Sequence, residues 1–247
     1  MAGPPALIRI RNLEKGFNGK PVLRGVSLDV FEGETLVIMG GSGDGKSVLL
    51  RHMNGLLQAD KGEVWVADRM LNDLTEDELF DIRLQFAMVF QLGALFDSLT
   101  VAENLSYPLI EHTEMTAEQM RARVTELLAM VGLENTQALY PAELSGGMRK
   151  RVALARAIAI KPRAVLYDEP TTGLDPLATQ RINELMRDLQ RQLGLTSVVI
   201  THDLKSAFAV GNRFVLLDHG RIRFTGSADD AHNTDDELMR EFMRAAF

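Results

Sequence analysis

The 247-residue chain contains no cysteine, so it forms no disulfide and offers no thiolate ligand to a metal. This absence is typical of proteins from a reducing compartment, and we expect the cytoplasm. Long apolar runs are also missing, because no stretch approaches the ~18 residues that a membrane helix requires. Residues 1–11 lack the apolar core of a signal peptide. If the protein acts at a membrane, we expect it to act through a partner.

Positive charge is scarcer than negative charge. The chain has 27 Lys and Arg against 34 Asp and Glu, a formal net charge of −7. This balance disfavours a broad nucleic-acid footprint, and we expect no nucleic-acid partner. The 46% of hydrophobic residues is enough for one large or two modest globular units with a core, and it speaks against disorder.

Glycine is concentrated in the stretch Gly40-Gly41-Ser42-Gly43-Asp44-Gly45-Lys46-Ser47, which we call the phosphate loop. It lies between a predicted buried strand, Thr35–Met39, and a predicted helix, Val48–Met53. Glycines let consecutive N–H groups turn toward a β- and γ-phosphate, Lys46 adds a positive charge, and the Ser47 hydroxyl is a ligand for Mg²⁺. The alternative, a glycine-rich turn that binds nothing, is disfavoured by this position between strand and helix. The loop predicts a nucleotide site.

Two adjacent carboxylates end the predicted buried strand Ala164–Glu169. Because side chains alternate along a strand, one carboxylate can face a magnesium shell while the next points toward a water. We therefore expect Asp168 to be a metal ligand and Glu169 to be the general base. The alternative is a solvated acidic strand end.

Polar residues also follow two other predicted strands. Gln91 comes after Phe86–Phe90, and its amide could reach Mg²⁺ or the attacking water. His202 comes after Ser197–Thr201 and is placed to sense the γ-phosphate or to fix the water. Taken alone, the glutamine is more typical of a surface position and the histidine of a structural role.

The first part of the chain predicts a small β-layer. Leu7–Arg11 and Gly25–Val30 alternate apolar and polar residues around an Asn18-Gly19 turn, and Gly62–Val66 is a further strand. Phe17, just before the turn, could stack on an adenine ring, since an aromatic face needs no specific hydrogen bond to a base. The alternative is an ordinary core phenylalanine.

Helical periodicity replaces the strand pattern from Leu92 to about Ile160. Thr75–Glu78 and Thr116–Gln119 have the spacing of capping boxes, and an apolar face follows the second one at Val124, Leu127, Leu128 and Val131. We call Leu144–Met148 the signature segment. It leads directly into another predicted helix, Arg149–Ala157. Its N-terminus exposes free N–H groups, so we predict a second phosphate-binding end there; the alternative is a flexible turn.

The motifs occur in a fixed order: the phosphate loop, Gln91, the signature segment, Asp168-Glu169, Gly173-Leu174-Asp175 and His202. In this order they resemble the nucleotide-binding subunit of an ABC transporter over nearly the whole chain. The resemblance implies an α/β P-loop ATPase fold with a RecA-like mixed and parallel sheet, an antiparallel β-subdomain and an inserted α-helical subdomain. It implies one domain, residues 1–247, with 1–91 and 161–247 as core plus β-subdomain and 92–160 as the helical subdomain.

The resemblance also implies a homodimer that hydrolyses ATP with Mg²⁺. Two ATP molecules would lie head to tail between the subunits. Each would contact Phe17, the phosphate loop and Val48 of one subunit, and Ser145, Gly146 and Gly147 of the other, with Asp175 near the same interface.

Within this superfamily the sequence is similar to the ATPases of Mla-type phospholipid transporters. The similarity rests on Phe90–Phe96, on Tyr107-Pro108-Leu109 with Glu111-His112-Thr113, and on Met148, where most ABC proteins have glutamine. It implies an integral membrane permease (MlaE-like), a STAS-domain protein (MlaB-like) and a lipid-binding MCE protein (MlaD-like), at the cytoplasmic face of a bacterial inner membrane. The alternative is an importer ATPase for amino acids or another polar solute, because cargo touches the permease and not the nucleotide site.

An apolar surface is expected beside Gln91, where a permease helix could dock. Its residues are Leu92, Leu95, Phe96 and Tyr107. The alternative is that these side chains pack inside the helical segment.

Asp44 and the C-terminal segment are the remaining unusual features. A carboxylate ~8 Å from a triphosphate would be repelled by roughly 2 kcal/mol, so we expect Asp44 to point away, toward the partner subunit. An apolar helical stripe lies in an acidic segment near the end of the chain, and we expect it to dock on the protein's own core; the alternative is docking on a partner. The stripe consists of Leu238, Met239, Phe242, Met243 and Ala246.

Overall fold

The computed structural model describes residues 5–91 and 93–246, with the backbone alone for residues 245 and 246. Leu92, which the sequence places in the apolar surface beside Gln91, lies outside the described residues. The same holds for the side chain of Ala246, the last residue of the predicted C-terminal stripe.

The strands are short in the centre of the molecule and long at its start. They are β1 (Ala6–Phe17), β2 (Lys20–Phe31), β3 (Thr35–Met39), β4 (Lys61–Val66), β5 (Arg69–Met70), β6 (Phe86–Val89), β7 (Ala164–Asp168), β8 (Thr196–Ile200), β9 (Arg213–Asp218) and β10 (Arg221–Gly226).

The helices of the described residues lie between and after these strands. They are α1 (Lys46–Met53), α2 (Glu76–Arg83), α3 (Val101–His112), α4 (Ala117–Met130), α5 (Gly146–Ala157), α6 (Pro176–Leu193), α7 (Leu204–Val210), α8 (Ala228–His232) and α9 (Glu237–Ala246).

A six-stranded sheet forms the centre of the molecule, in the order β10-β9-β3-β8-β7-β6. Neighbours run parallel from β9 to β6, and β10 is antiparallel to β9. Every residue of β3 and β8 is buried, as expected for strands whose two faces are covered. The second sheet is antiparallel, in the order β2-β1-β4-β5, so the predicted α/β class with an antiparallel layer is confirmed.

The carboxyl ends of β3, β6, β7 and β8 lie at one edge of the central sheet, because these strands are parallel and adjacent. The phosphate loop, Gln91, Asp168-Glu169 and His202 follow these four ends in the sequence. This topology brings motifs that are far apart in the chain to one edge, where open α/β sheets bind ligands.

Helices α3, α4 and α5 pack against one another within residues 92–160, and the core there includes Val124, Leu127 and Leu128. The capping boxes at Thr75 and Thr116 are both formed, as predicted. We retain the division into core and helical subdomain as a proposal. No helix of the described residues combines the length and the apolar character needed to cross a bilayer.

Helix α9 contacts α7 and α8. Met239 is fully buried, and Leu238, Phe242 and Met243 pack against the same core. The prediction that this stripe docks on the protein's own core is therefore confirmed for the described side chains.

Candidate functional site

The phosphate loop connects the end of β3 to the start of α1, and two of its glycines are required by its shape. Gly40 has φ +154°, and a Cβ there would lie 2.2 Å from the Leu217 carbonyl oxygen. Gly45 has φ +99° and directly precedes α1 without offering a side-chain cap. The first N–H groups of α1 therefore keep no side-chain partner from the capping position, and the helix N-terminus is free to bind phosphate.

Lys46 lies across the phosphate loop. Its Nζ donates to the carbonyl oxygens of Gly40 at 3.0 Å and Gly41 at 2.7 Å. These are bonds that an anionic phosphate can replace, since a charged acceptor binds an ammonium group more strongly than a neutral carbonyl.

A cavity of about 510 Å³ opens above the loop, within the usual range for small-molecule sites. Its lining comes from the loop, from α1 and β2, and from the ends of β7 and β8 with the residues that follow them. The lining residues are Val22, Ser42, Gly43, Gly45, Lys46, Ser47, Val48, Glu169, Ile200 and His202. Three predicted groups therefore meet in one place: the phosphate-binding lysine, the general base and the histidine.

Ser47 and Asp168 provide an oxygen site suited to Mg²⁺. The Ser47 hydroxyl donates to Asp168 Oδ1 at 3.2 Å, although 121 residues separate them in the chain. A hydroxyl and a carboxylate are hard oxygen ligands, and Mg²⁺ is usually held by one or two such groups together with phosphate oxygens and water. These two residues fit the predicted metal site.

Glu169 is oriented by two side chains. Its Oε1 lies 2.9 Å from His202 Nδ1, and its Oε2 accepts from the Thr172 hydroxyl at 3.1 Å. Strand β7 ends at Asp168, and Glu169 has φ +53°. The two carboxylates have different partners, as expected, and the backbone leaves the strand between them, so the strand ends one residue before Glu169.

Asp44 faces its own chain. Its Oδ2 accepts from the Gly41 N–H at 2.5 Å, and its Oδ1 accepts from the His219 N–H at 3.0 Å. The side chain is 12% exposed. Two main-chain donors and burial satisfy the carboxylate inside one chain, so the prediction that it points toward a partner subunit is wrong. Its role, in this geometry, is to tie the phosphate loop to the β9–β10 turn.

The signature segment lines a second cavity, of about 310 Å³. Ser145, Gly146, Gly147 and Asp175 all line it. Ser145 Oγ caps α5 by accepting from the Met148 N–H at 3.2 Å, as the predicted helix N-terminus requires. Within the described residues the two cavities share no lining residue. One chain therefore keeps its two predicted phosphate-binding ends in separate cavities.

Phe17 and Gln91 are two predicted site residues that line neither cavity. Phe17 is 43% exposed, with Lys15 Nζ 5.6 Å from its ring centroid, so it is not a core phenylalanine. Gln91 is exposed just after β6. Adenine stacking by Phe17 and magnesium or water binding by the Gln91 amide stay predictions.

Lys150 is a residue that the sequence did not single out. It is buried in α5, and its Nζ donates to the Gln91 carbonyl oxygen. Burial lowers the pKa of Lys150 from its ordinary value, and the negative charge of Glu169 opposes that shift. In the sequence Lys150 lies between Arg149 and Arg151, and nothing in that basic run distinguishes it.

Only part of the apolar surface predicted beside Gln91 is exposed. Phe96 and Tyr107 are exposed, with ring centroids 4.9 Å apart, and the Arg156 guanidinium lies 5.6 Å from the Phe96 ring. Leu95 instead packs against the core.

Comparisons with known proteins agree with this geometry. The model of the ABC transporter family matches residues 23–172. The chain is 35% identical over 236 residues to the probable ribonucleotide transport ATP-binding protein mkl of Mycobacterium leprae, covering 96% of this chain and 68% of that protein. It is 40% identical over 241 residues to the methionine import ATP-binding protein MetN of Carboxydothermus hydrogenoformans, covering 96% and 71%.

Among solved structures, the chain is similar to a dimeric ATP-binding cassette in a post-hydrolysis state, bound to ADP and Pi. The TM-score is 0.81 at 36% identity, and the match covers 89% of this chain and 98% of that one. The chain spans about two thirds of the length of the two curated relatives.

Proposed function

Since this chain belongs to the ABC transporter family and is an ATP-hydrolysing, ATP-binding subunit of it, we propose that it powers phospholipid transport between the inner and outer membranes of a bacterium. The transport path is an integral membrane permease, and the chain acts at the cytoplasmic face of the inner membrane. The observation that carries the ATP-driven part is the meeting of Lys46, Ser47, Glu169 and His202 around one cavity.

The residues of this cavity divide the work of hydrolysis. Lys46 leaves its two loop carbonyls and binds the β- and γ-phosphates. Glu169 accepts the proton of the attacking water, and His202 and Thr172 hold the carboxylate in place through its two oxygens. Ser47 and Asp168 would hold Mg²⁺, which would neutralise charge on the phosphate oxygens.

Two copies of the chain form the complete site. Because the signature segment and the phosphate loop line separate cavities, a second subunit must bring its Ser145, Gly146 and Gly147 to the nucleotide. The related ATP-binding cassette bound to ADP and Pi is dimeric. In this arrangement ATP binding closes the dimer and hydrolysis releases it.

The exposed pair Phe96 and Tyr107 is the proposed docking point for a permease helix. Two large aromatic side chains in contact offer apolar area, and Arg156 beside Phe96 adds a charge for orientation. The further proposed partners are a STAS-domain protein and a lipid-binding MCE protein. They rest on the Mla-type residues Phe90–Phe96, Tyr107–Leu109 and Met148.

A second cargo is favoured by one comparison. The 40% identity to a methionine import ATP-binding protein supports an importer for amino acids or another polar solute. The nucleotide site serves both cargoes equally.

Purification of the tagged full chain from membranes tests the choice. We expect a permease, an MCE protein and a STAS-domain protein to accompany it, together with phospholipid detected by mass spectrometry. A periplasmic solute-binding protein in their place would establish the importer. Lys46→Ala serves as a matched control, since it removes nucleotide binding without altering the docking surface.

A further inference from the structure

Lys150 is a cation in a place where lysine is seldom found. It is 7% exposed, five residues after the cap residue Ser145, in the helix that begins with the signature segment. Buried lysines require partners, and this one donates to the main-chain carbonyl of Gln91. It therefore connects the signature helix to the end of β6.

Arg156, a second cation of α5, binds the main chain of Gly93 and Ala94, the next described residues after Gln91. Arg156 Nη2 donates to the carbonyls of Ala94 at 2.7 Å and Gly93 at 3.3 Å. Gly93 and Ala94 both have positive φ, +79° and +49°, so this turn is unusual enough to need external support. The two cations together attach the chain after β6 to α5.

Lys150 also lies within electrostatic reach of the catalytic end of the cavity. Burial lowers the pKa of Lys150 and the negative charge of Glu169 opposes that shift. Strand β6, which leads to Gln91, is the neighbour of β7, which leads to Glu169. Since α5 is one rigid helix, a shift of Ser145 is transmitted to Lys150 and from there to Gln91.

We infer that Lys150 is a positioning residue for ATP hydrolysis: it fixes the main chain of Gln91 relative to Glu169 and couples that arrangement to the signature helix. The coupling rests on the proposed two-subunit site, because only there does the signature helix meet a nucleotide. The lysine itself touches neither ATP nor the reacting water.

Steady-state hydrolysis by the full chain tests this role. We expect Lys150→Met to lower kcat by roughly 10-fold or more while the Kd for ATP changes by less than about threefold, because positioning is expressed in the transition state and not in binding. Lys150→Arg, which keeps the charge and the donors, restores kcat to within about threefold of the natural chain. Unchanged kcat in Lys150→Met, or equal loss in Lys150→Arg, would overturn the inference.

Arg123→Met is the matched control. Arg123 is another buried cation of the helical segment, and it donates to the carbonyls of Ala159 and Ile158, just beyond the far end of α5. We expect this variant to lose as much thermal stability as Lys150→Met but to keep kcat within about threefold. A parallel loss of kcat in Arg123→Met would mean that Lys150 acts through stability alone.

The Glu169→Gln background separates this inference from the proposed function. ATP should assemble Glu169→Gln into a dimer, and adding Lys150→Met should leave that assembly intact, as size-exclusion chromatography with ATP measures. Loss of the dimer only on adding Lys150→Met contradicts the positioning role. Failure of Glu169→Gln itself to dimerise, alone and in its membrane complex, contradicts the proposed two-subunit site instead.

Discussion

At the scale of single residues, Glu169 is held with both carboxylate oxygens bonded and its backbone turned out of the strand. A carboxylate fixed in this way can receive a proton without searching for its orientation. We predict that Glu169→Gln lowers kcat at least ~100-fold, the range typical of a lost general base. ATP binding should persist, because the amide keeps the shape of the side chain. Filter binding of labelled ATP and phosphate release measure the two effects.

The matched variant for that test is Thr172→Val. It removes the bond to Oε2 but leaves the base, so a smaller loss of kcat, about tenfold or less, is expected. Hydrolysis by Glu169→Gln at the natural rate would mean that another group accepts the proton.

Asp44 is predicted to support ATP binding despite its negative charge. Its carboxylate holds the N–H groups of Gly41 and His219, and breaking hydrogen bonds to a charged group costs ~1.5–3 kcal/mol. Asp44→Ala should therefore weaken ATP binding and lower the free energy of unfolding, as titration with a fluorescent ATP analogue and denaturant unfolding measure. Asp44→Asn, which keeps an acceptor oxygen, should lose less. Tighter binding by tenfold or more in Asp44→Ala would show that charge repulsion dominates.

The contacts of Asp44 and Lys150 show what could not be predicted from the sequence at the scale of single residues. Residue types at strand ends were enough to predict one site from five residues: Lys46, Ser47, Asp168, Glu169 and His202. The partner of Asp44 is a main-chain N–H 175 residues away, and that of Lys150 is a carbonyl 59 residues away. Main-chain groups are the same in every residue, so no residue type signals such a contact in advance.

At the scale of elements, periodicity located β3 from Thr35 to Met39, the bounds that the structure has. It placed the start of α1 at Val48, whereas the helix begins at Lys46. The difference has a physical reason: Lys46 and Ser47 belong to the first turn of the helix but have polar side chains, so they do not contribute to the apolar pattern. The predicted ends of β6 and β7 are each one residue too late for a different reason: Phe90 is exposed and the backbone turns at Glu169.

Helix caps provide a prediction at this scale. Ser145 caps α5 and Thr116 caps α4, each by accepting an N–H with its hydroxyl. Removing either hydroxyl should cost ~1 kcal/mol of unfolding free energy. Only Ser145 lines the signature cavity, so Ser145→Ala should also reduce hydrolysis several-fold, whereas Thr116→Ala should not. Chemical denaturation and phosphate release on both variants give the comparison.

Equal hydrolysis by these two variants would assign Ser145 to helix stability alone. The pair is informative because both changes remove the capping hydroxyl at the same position of a helix, with Thr116→Ala removing a methyl group as well. Any difference in kcat then reports the surroundings of the cap and not the cap itself.

At the scale of the whole molecule, the separation of the two cavities is the feature with the largest consequence. The sequence indicated two phosphate-binding ends, and the resemblance assigned them to two subunits. The topology explains why: the phosphate loop follows β3 near the middle of the sheet, whereas α5 lies against β6 at its edge. This separation supports the proposal that the nucleotide site is completed by a second copy of the chain.

A nucleotide site shared by two subunits predicts that two inactive variants regain activity when they are mixed. Lys46→Ala disables the phosphate loop, and Ser145→Arg places a large cation where the signature segment must approach phosphate. Each variant alone should be inactive. A mixed dimer contains one site in which both defects meet and one site in which neither occurs. If the subunits of an equal mixture pair at random, about half of the dimers are mixed. Mixing should then restore roughly a quarter of the natural activity, provided that the sites act independently.

The comparison is made by phosphate release before and after mixing, with the two variants combined before ATP is added or produced together by coexpression. A double variant carrying both changes in one chain, mixed with the natural chain, is the control for dilution. If each subunit completed its own site, both single variants would stay inactive on mixing, because every phosphate loop would remain with its own signature segment. Recovery of activity on mixing therefore requires that Ser145 of one chain act on nucleotide bound by Lys46 of the other.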